Sequence, residues 1–290
     1  MATFPAAADD NIEPTMASKA RIPWGRLGIR AMALSYLFVM LIIPVSVIFW
    51  DGLSEGIVTM WQEVSKPIAW SALKLTLWTS ALMALINGVM GLLTAFVIVR
   101  YTFPGKTTLN AIIDLPLAIP TLVTGLMLVA LYGPQQVVGA WVLEQFGQRI
   151  IFAAPGIVLA LLFVTFPFVV RSVQPVLLGL DQTQEDAAVT LGAGSWTIFR
   201  RITLPAVRLP LLSGMLLSFA RAIGEFGSIV IVAGNIPFRT QTAAVYVFGE
   251  VESENRLGAS AVSVVMMAIS FGLVALVGWL ERRAHKKESG

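Results

Sequence analysis

Cysteine is absent from the 290 residues, and the single histidine, His285, stands in a charged C-terminal stretch. Disulfides are thereby excluded, and so is a Cys/His metal site. His285 reads as a solvated tail residue. Charge is scarce as well: Asp, Glu, Lys and Arg make up 13% of the chain, where a soluble domain carries about a quarter. Hydrophobic residues make up 57%, and the mean hydropathy is +0.80. This is the composition of an integral membrane protein, and nothing in it calls for a cofactor. The net charge of +3 and pI near 9.4 do not point to nucleic acid here, because in a membrane protein the placement of Lys and Arg matters more than their sum.

Crossing a hydrocarbon core of ~30 Å takes about 20 helical residues. With no water to satisfy the backbone, apolar runs of that length are expected to be helices. Six windows pass: 29–50, 74–98, 111–132, 155–176, 209–233 and 260–280. The expected architecture is an all-α, six-span membrane protein. Residues 1–28 are polar, with no small-residue cleavage site after the first apolar run, and read as a tail rather than a signal peptide. A basic tail covers 282–290, and no repeat with a period of 20–50 residues is evident.

The basic residues fall unevenly on this plan. Lys19, Arg21, Arg26, Arg30, Arg100, Lys106, Arg171, Arg200, Arg201, Arg208, Arg282, Arg283, Lys286 and Lys287 share one side. Lys66, Lys74, Arg149, Arg239 and Arg256 lie on the other, and Arg221 lies in the membrane. The positive-inside bias then sets both termini in the cytoplasm, as expected for a multi-pass protein of a bacterial inner membrane. Asp51, Glu55, Glu63, Glu144, Glu250, Glu252 and Glu254 fall outside, where they solvate loops or meet a partner.

Between the fourth and fifth windows lies "DQTQEDAAVTLGAGSWTIFRRITLP", residues 181–205. Glu185, Asp186, Ala187, Ala188 and Leu191 form a short helical pattern, and Gly192 and Gly194 offer a stop. Trp196, Ile198, Phe199 and Ile202 set apolar side chains beside Arg200 and Arg201, and Pro205 is expected to end the element. Two short helices around a glycine turn make a knob fit for a partner's groove; the alternative is an amphipathic helix lying on lipid headgroups.

This stretch resembles the cytoplasmic EAA loop of ABC-importer permeases: Glu-Ala-Ala, three residues, Gly, nine residues, Ile, one residue, Leu-Pro. Ala187, Ala188, Gly192, Ile202, Leu204 and Pro205 stand at the family spacing. Asp186 replaces the family Glu, with Glu185 directly before it. The resemblance implies the type I permease fold and a loop that docks on an ATP-hydrolysing subunit. The chain itself is not expected to hydrolyse ATP. "PGKTT" at 104–108 lacks the first glycine of a P-loop, which would fall at Arg100, and no strand precedes it.

A second resemblance concerns the cargo. Residues 100–133 and 218–242 look like the permeases for tetrahedral oxyanions, and "LGASAVSVVMMAISF" (257–271) looks like the T-type subunit of the sulfate/thiosulfate system. The likeness covers a permease core of about residues 68–281. It implies a heterodimer with a W-type permease, two ATPase subunits inside, an external sulfate/thiosulfate-binding protein, and membrane lipid around the spans. Molybdate or tungstate import is the near alternative. A proton- or ion-coupled secondary anion transporter is the alternative of a different class.

That last alternative draws on "FARAIGEFG", residues 219–227, where Arg221 and Glu225 stand at i and i+4 in an apolar span. On a continuous helix they share a face, and charges at membrane depth usually face a bundle interior or a water-filled cavity. Gly224 and Gly227 beside them are expected to permit close helix approach. Three readings stay open: a structural clamp, a transient anion contact by Arg221, or a proton or ion relay.

Overall fold

A computed structural model describes residues 24–288, with side chains over 28–282. The expected N-terminal tail up to residue 23, and the side chains of Arg283, His285, Lys286 and Lys287, lie outside the described residues. The described chain is helical throughout, without a strand. It divides into two units meeting between Val47 and Ile48.

In the first unit, α1 (Trp24–Leu37) runs through a π-helical turn, Phe38–Ile42, into the start of α2 (Ile43–Leu53). Residues 28–53 are long and apolar enough to cross a membrane.

The second unit holds α3 (Ile57–Ser65), α4 (Pro67–Arg100), α5 (Lys106–Ala118), α6 (Thr121–Tyr132), α7 (Val137–Phe146) and α8 (Ala154–Gly179). It continues with α9 (Gln182–Thr190), α10 (Ser195–Ile198), a π-helical turn Phe199–Thr203, α11 (Leu204–Ile223), α12 (Gly227–Ala233), α13 (Ala243–Glu252) and α14 (Arg256–Glu288). This unit begins upstream of residue 68, since α3 packs against α14 and α4.

Pro67 opens α4, where its fixed φ suits a first helical turn and its missing N–H costs nothing. The helix then runs for 34 residues. Its Leu92, Ala95 and Ile98 join Val169, Val170 and Val173 of α8 and Val207 of α11 in one core. Met83 and Ala84 of α4 join Ile157 and Leu161 of α8, Ala222 of α11 and Ile229 of α12 in another. The spine is therefore α8, the most buried of the candidate spans, with α4 and α11 against it. Leu85, Val89 and Leu93 of α4 and Leu122, Leu126 and Met127 of α6 face outward, an apolar exterior suited to lipid or protein rather than water.

Among the described residues five helices are long and apolar enough to span, or six if a bent pair is one span. That pair corrects the window expected at 111–132. α5 and α6 meet at 111°, because Pro120 holds Ile119 extended (φ −83°, ψ 128°) and ends the helix before it. The window at 209–233 is likewise interrupted: α11 stops at Ile223, Gly224 to Phe226 are non-helical, and α12 begins at Gly227.

Pro205 ends nothing. The π-helical turn before it passes directly into α11, with Pro205 in that helix's first turn. The wider turn, closed by the Leu204 N–H on the Phe199 carbonyl, absorbs a proline that would break an ordinary α-helical ladder. At the other end of the chain α14 continues as helix to Glu288, over the stretch expected as a tail.

Candidate functional site

The 181–205 segment folds as two short helical limbs around a glycine turn. Asp181 caps the first limb, α9: its carboxylate accepts the Thr183 amide at 2.9 Å and the Thr183 hydroxyl at 2.7 Å. Those two donors hold the Asp181 carboxyl below its usual range. The limb closes at Gly192, whose φ of +81° is a left-handed value that a side chain would strain. There the Gly192 and Ala193 amides return to the carbonyls of Val189 and Ala188, both at 2.9 Å.

Three apolar side chains crown the turn. Leu191 is 88% exposed, Trp196 71% and Val189 60%. Asp186 and Ala187 are exposed beside them, and Ala188 is half-buried. On the second limb Ile202 and Leu204 turn inward to a half-buried position, while Pro205 is exposed.

The two adjacent carboxylates have separate fates. Glu185 turns inward, where its Oε1 accepts Arg100 Nη2 at 2.6 Å and the Thr203 hydroxyl at 3.1 Å. Asp186 points out, and its carboxylate has no partner among the described residues. Of the two, Asp186 is the one left for another molecule.

The Arg221–Glu225 pair is formed, with Arg221 Nη2 and Glu225 Oε2 at 2.7 Å. It is not carried on one continuous helix, because Glu225 lies past the end of α11. The Glu225 side chain is 2% exposed and that of Arg221 is 37% exposed. The Ser228 amide and hydroxyl, each at 3.0 Å, donate to the remaining Glu225 oxygen. Glu225 is thus fully engaged at the start of α12, whereas the other guanidinium N–H groups of Arg221 have no acceptor among the described residues.

The break holding this pair meets the break between α5 and α6. A Cβ on Gly227 would lie 2.1 Å from Thr121 Oγ1, so only glycine allows α12 and α6 to approach this closely. Gly224 is different: a Cβ there meets open space, and the close packing expected of it is absent. Non-helical backbone inside a membrane is tolerated where it is buried in protein or lines a water-filled cavity. Two such interruptions meet here, beside a half-exposed arginine.

A further ion pair was not singled out from the sequence. Arg171 of α8 donates to both carboxylate oxygens of Asp114 on α5, Nε to Oδ1 at 2.8 Å and Nη2 to Oδ2 at 2.5 Å. It also meets the Asn110 carbonyl and side-chain oxygen, both at 2.9 Å, and Gln174. Arg171, counted with the basic residues of one side, sits within α8. The available signal was a lone acid in "NAIIDLPLAIP" and a lone base in "FPFVVRSVQP", since isolated opposite charges in two apolar helices are expected to seek each other.

Comparison with known proteins agrees with this architecture. A family model described as a binding-protein-dependent transport system inner membrane component matches residues 87–286. The chain is 42% identical over 250 residues to the probable sulfate transport system permease protein cysT of Chlorokybus atmophyticus, covering 86% of this chain and 87% of that protein. It is 39% identical over 258 residues to the sulfate transport system permease protein CysW of Synechocystis sp., covering 89% and 93%. Among solved structures, a chain of a bacterial alginate ABC transporter in complex with an alginate pentasaccharide-bound periplasmic protein superposes with a TM-score of 0.73. That match has 17% identity and covers 90% of this chain and 95% of that one, a likeness of fold.

Proposed function

Given that the chain belongs to the family of binding-protein-dependent transport system inner membrane components, we propose that it is the T-type permease subunit of an ATP-driven importer of sulfate and thiosulfate. The names carried by its relatives support sulfate as cargo. The outward knob of Val189, Leu191 and Trp196 with the unpartnered Asp186 supports coupling to another subunit and is the observation that carries the reading. An apolar tip ringed by polar groups is what a partner's cleft needs, and large exposed apolar groups in a polar loop mark interaction sites.

In this reading two ATPase subunits bind the 181–205 loops of this chain and of a W-type permease. An external binding protein delivers the anion on the opposite side, and both termini lie in the cytoplasm. Binding-protein docking and ATP binding favour the outward-open state, and hydrolysis resets it. Arg221 is the contact for the passing dianion. Glu225 holds it by one nitrogen and offsets its charge, which keeps the anion from being held tightly. A relay role for Glu225 is disfavoured because both of its oxygens are engaged.

The reading is tested by sulfate uptake in cells lacking their own sulfate permease, with the partner subunits supplied. Uptake restored by this chain and lost together with ATPase co-purification in Gly192→Asp supports it. Uptake of molybdate but not sulfate, or uptake that follows the proton gradient without ATP, overturns it.

A further inference from the structure

The 181–205 loop is joined by the backbone only to α8 before it and α11 after it. Both of its limbs nevertheless reach a third helix. From the first limb, Glu185 meets Arg100, the last residue of α4, at 2.6 Å. From the second limb, Phe199 sets its ring edge-on to Phe96 of α4, with centroids 5.8 Å apart, and the exposed Trp196 stacks on Phe199 at 5.6 Å. Phe96 and Arg100 are four residues apart and share one face of α4. Thr203, also from the second limb, donates to the same Glu185 oxygen, closing the two limbs and α4 into one unit.

We propose that Arg100 and Glu185 are positioning residues for energy coupling, tying the loop to α4 so that its displacement moves α4 together with α8 and α11. The pair is no ordinary surface bridge. The side chains are 10% and 19% exposed, and Arg100 Nε is buried with no acceptor, so the guanidinium depends on Glu185 for its charge. Loss of one partner strands the other, a far larger perturbation than breaking an exposed pair. α4 also has somewhere to carry the motion. Toward its far end, about 36 Å from Arg100 at ~1.5 Å per residue, the Thr76 hydroxyl accepts the Ala243 amide at 2.8 Å. That bond fixes α4 to the first residue of α13. The knob, the aromatic stack, the ion pair and this rod form one continuous mechanical path.

The inference rests on the coupling role proposed above for the loop, and its test separates the two. The complete complex, with partner permease, ATPase and binding protein, is reconstituted in vesicles. ATP hydrolysed per sulfate imported is measured alongside ATPase co-purification. Glu185→Gln and Phe96→Leu are expected to keep the ATPase bound while the ATP-to-sulfate ratio rises about fivefold or more. Asp186→Asn is expected instead to weaken ATPase binding. Because the chain has no cysteine, the pair R100C and E185C can be bridged by a short bifunctional thiol reagent. Bridging is expected to return the ratio toward the wild-type value. An unchanged ratio in Glu185→Gln, loss of the ATPase in that variant, or a bridged pair that stays uncoupled overturns the inference. A wild-type complex that imports no sulfate on ATP contradicts the underlying functional reading instead.

Discussion

Arg221 and Glu225 lie 2.7 Å apart, yet the glutamate is enclosed while more than a third of the arginine side chain is exposed. Glu225 is held by Ser228 from the next helix as well as by Arg221. The pair is therefore an anchored carboxylate presenting a partly free guanidinium, a different object from two charges cancelling on one helix face.

That asymmetry separates the two residues in experiment. Glu225→Ala leaves the Ser228 donors without their acceptor and the partly exposed Arg221 without its counter-charge, and should destabilise the protein by about 1–3 kcal/mol. Thermal unfolding of the purified complex is the measurement. Arg221→Ala leaves the enclosed Glu225 carboxylate without its counter-charge, which should cost about 3–5 kcal/mol and abolish sulfate uptake; Arg221→Lys keeps the charge but loses the planar fork, and should retain most of the stability and part of the uptake.

The contact between the two helix breaks makes its own demand. Gly227→Ala places a methyl 2.1 Å from Thr121 Oγ1, and overpacking of this kind costs about 1–3 kcal/mol. Thr121→Ala removes the opposing oxygen and should recover part of that loss. A double-mutant cycle read by thermal unfolding checks the coupling.

Arg171 and Asp114 join α8 to α5 just before the 111° bend. Asp114→Asn and Arg171→Met should each lower stability, and the double variant should be better than their sum by about 0.5–3 kcal/mol. Additive losses would mean that the two charges act independently.

At the loop, Thr183 holds the Asp181 carboxyl below its usual range. A carboxyl lowered on folding stabilises above its unfolded value of about 3.9 and loses that contribution only as pH falls through the lowered value. Amide exchange at Thr183 should therefore show no titration by Asp181 between about pH 5 and 8. Asp181→Ala should speed that exchange throughout the range, while Asp181→Asn, itself a good cap, should change it little.

The sequence was informative where a signal is local. Spans follow from hydropathy, and the loop's turn follows from Gly192, whose left-handed backbone is a property of that one position. Helix interruptions were less legible. Pro120 was visible, but an apolar window averages over it, so the bend at Ile119 vanished into a single span. The break at Gly224 carries no proline at all, and there the Glu225 carboxylate accepts the Ser228 amide of the first turn of α12. Long-range pairing was least legible, because Arg171 and Asp114 are 57 residues apart and Arg100 and Glu185 are 85 apart. Which of Glu185 and Asp186 turns inward depends on Arg100, so the loop sequence alone left both as candidates.

The most direct measurement is uptake of radiolabelled sulfate into vesicles holding this chain with the proposed partner permease, ATPase and external binding protein. Uptake is expected only with ATP inside and binding protein outside, indifferent to a proton gradient and lost in Gly192→Asp. Sulfate accumulation driven by a proton gradient in the absence of ATP would contradict it.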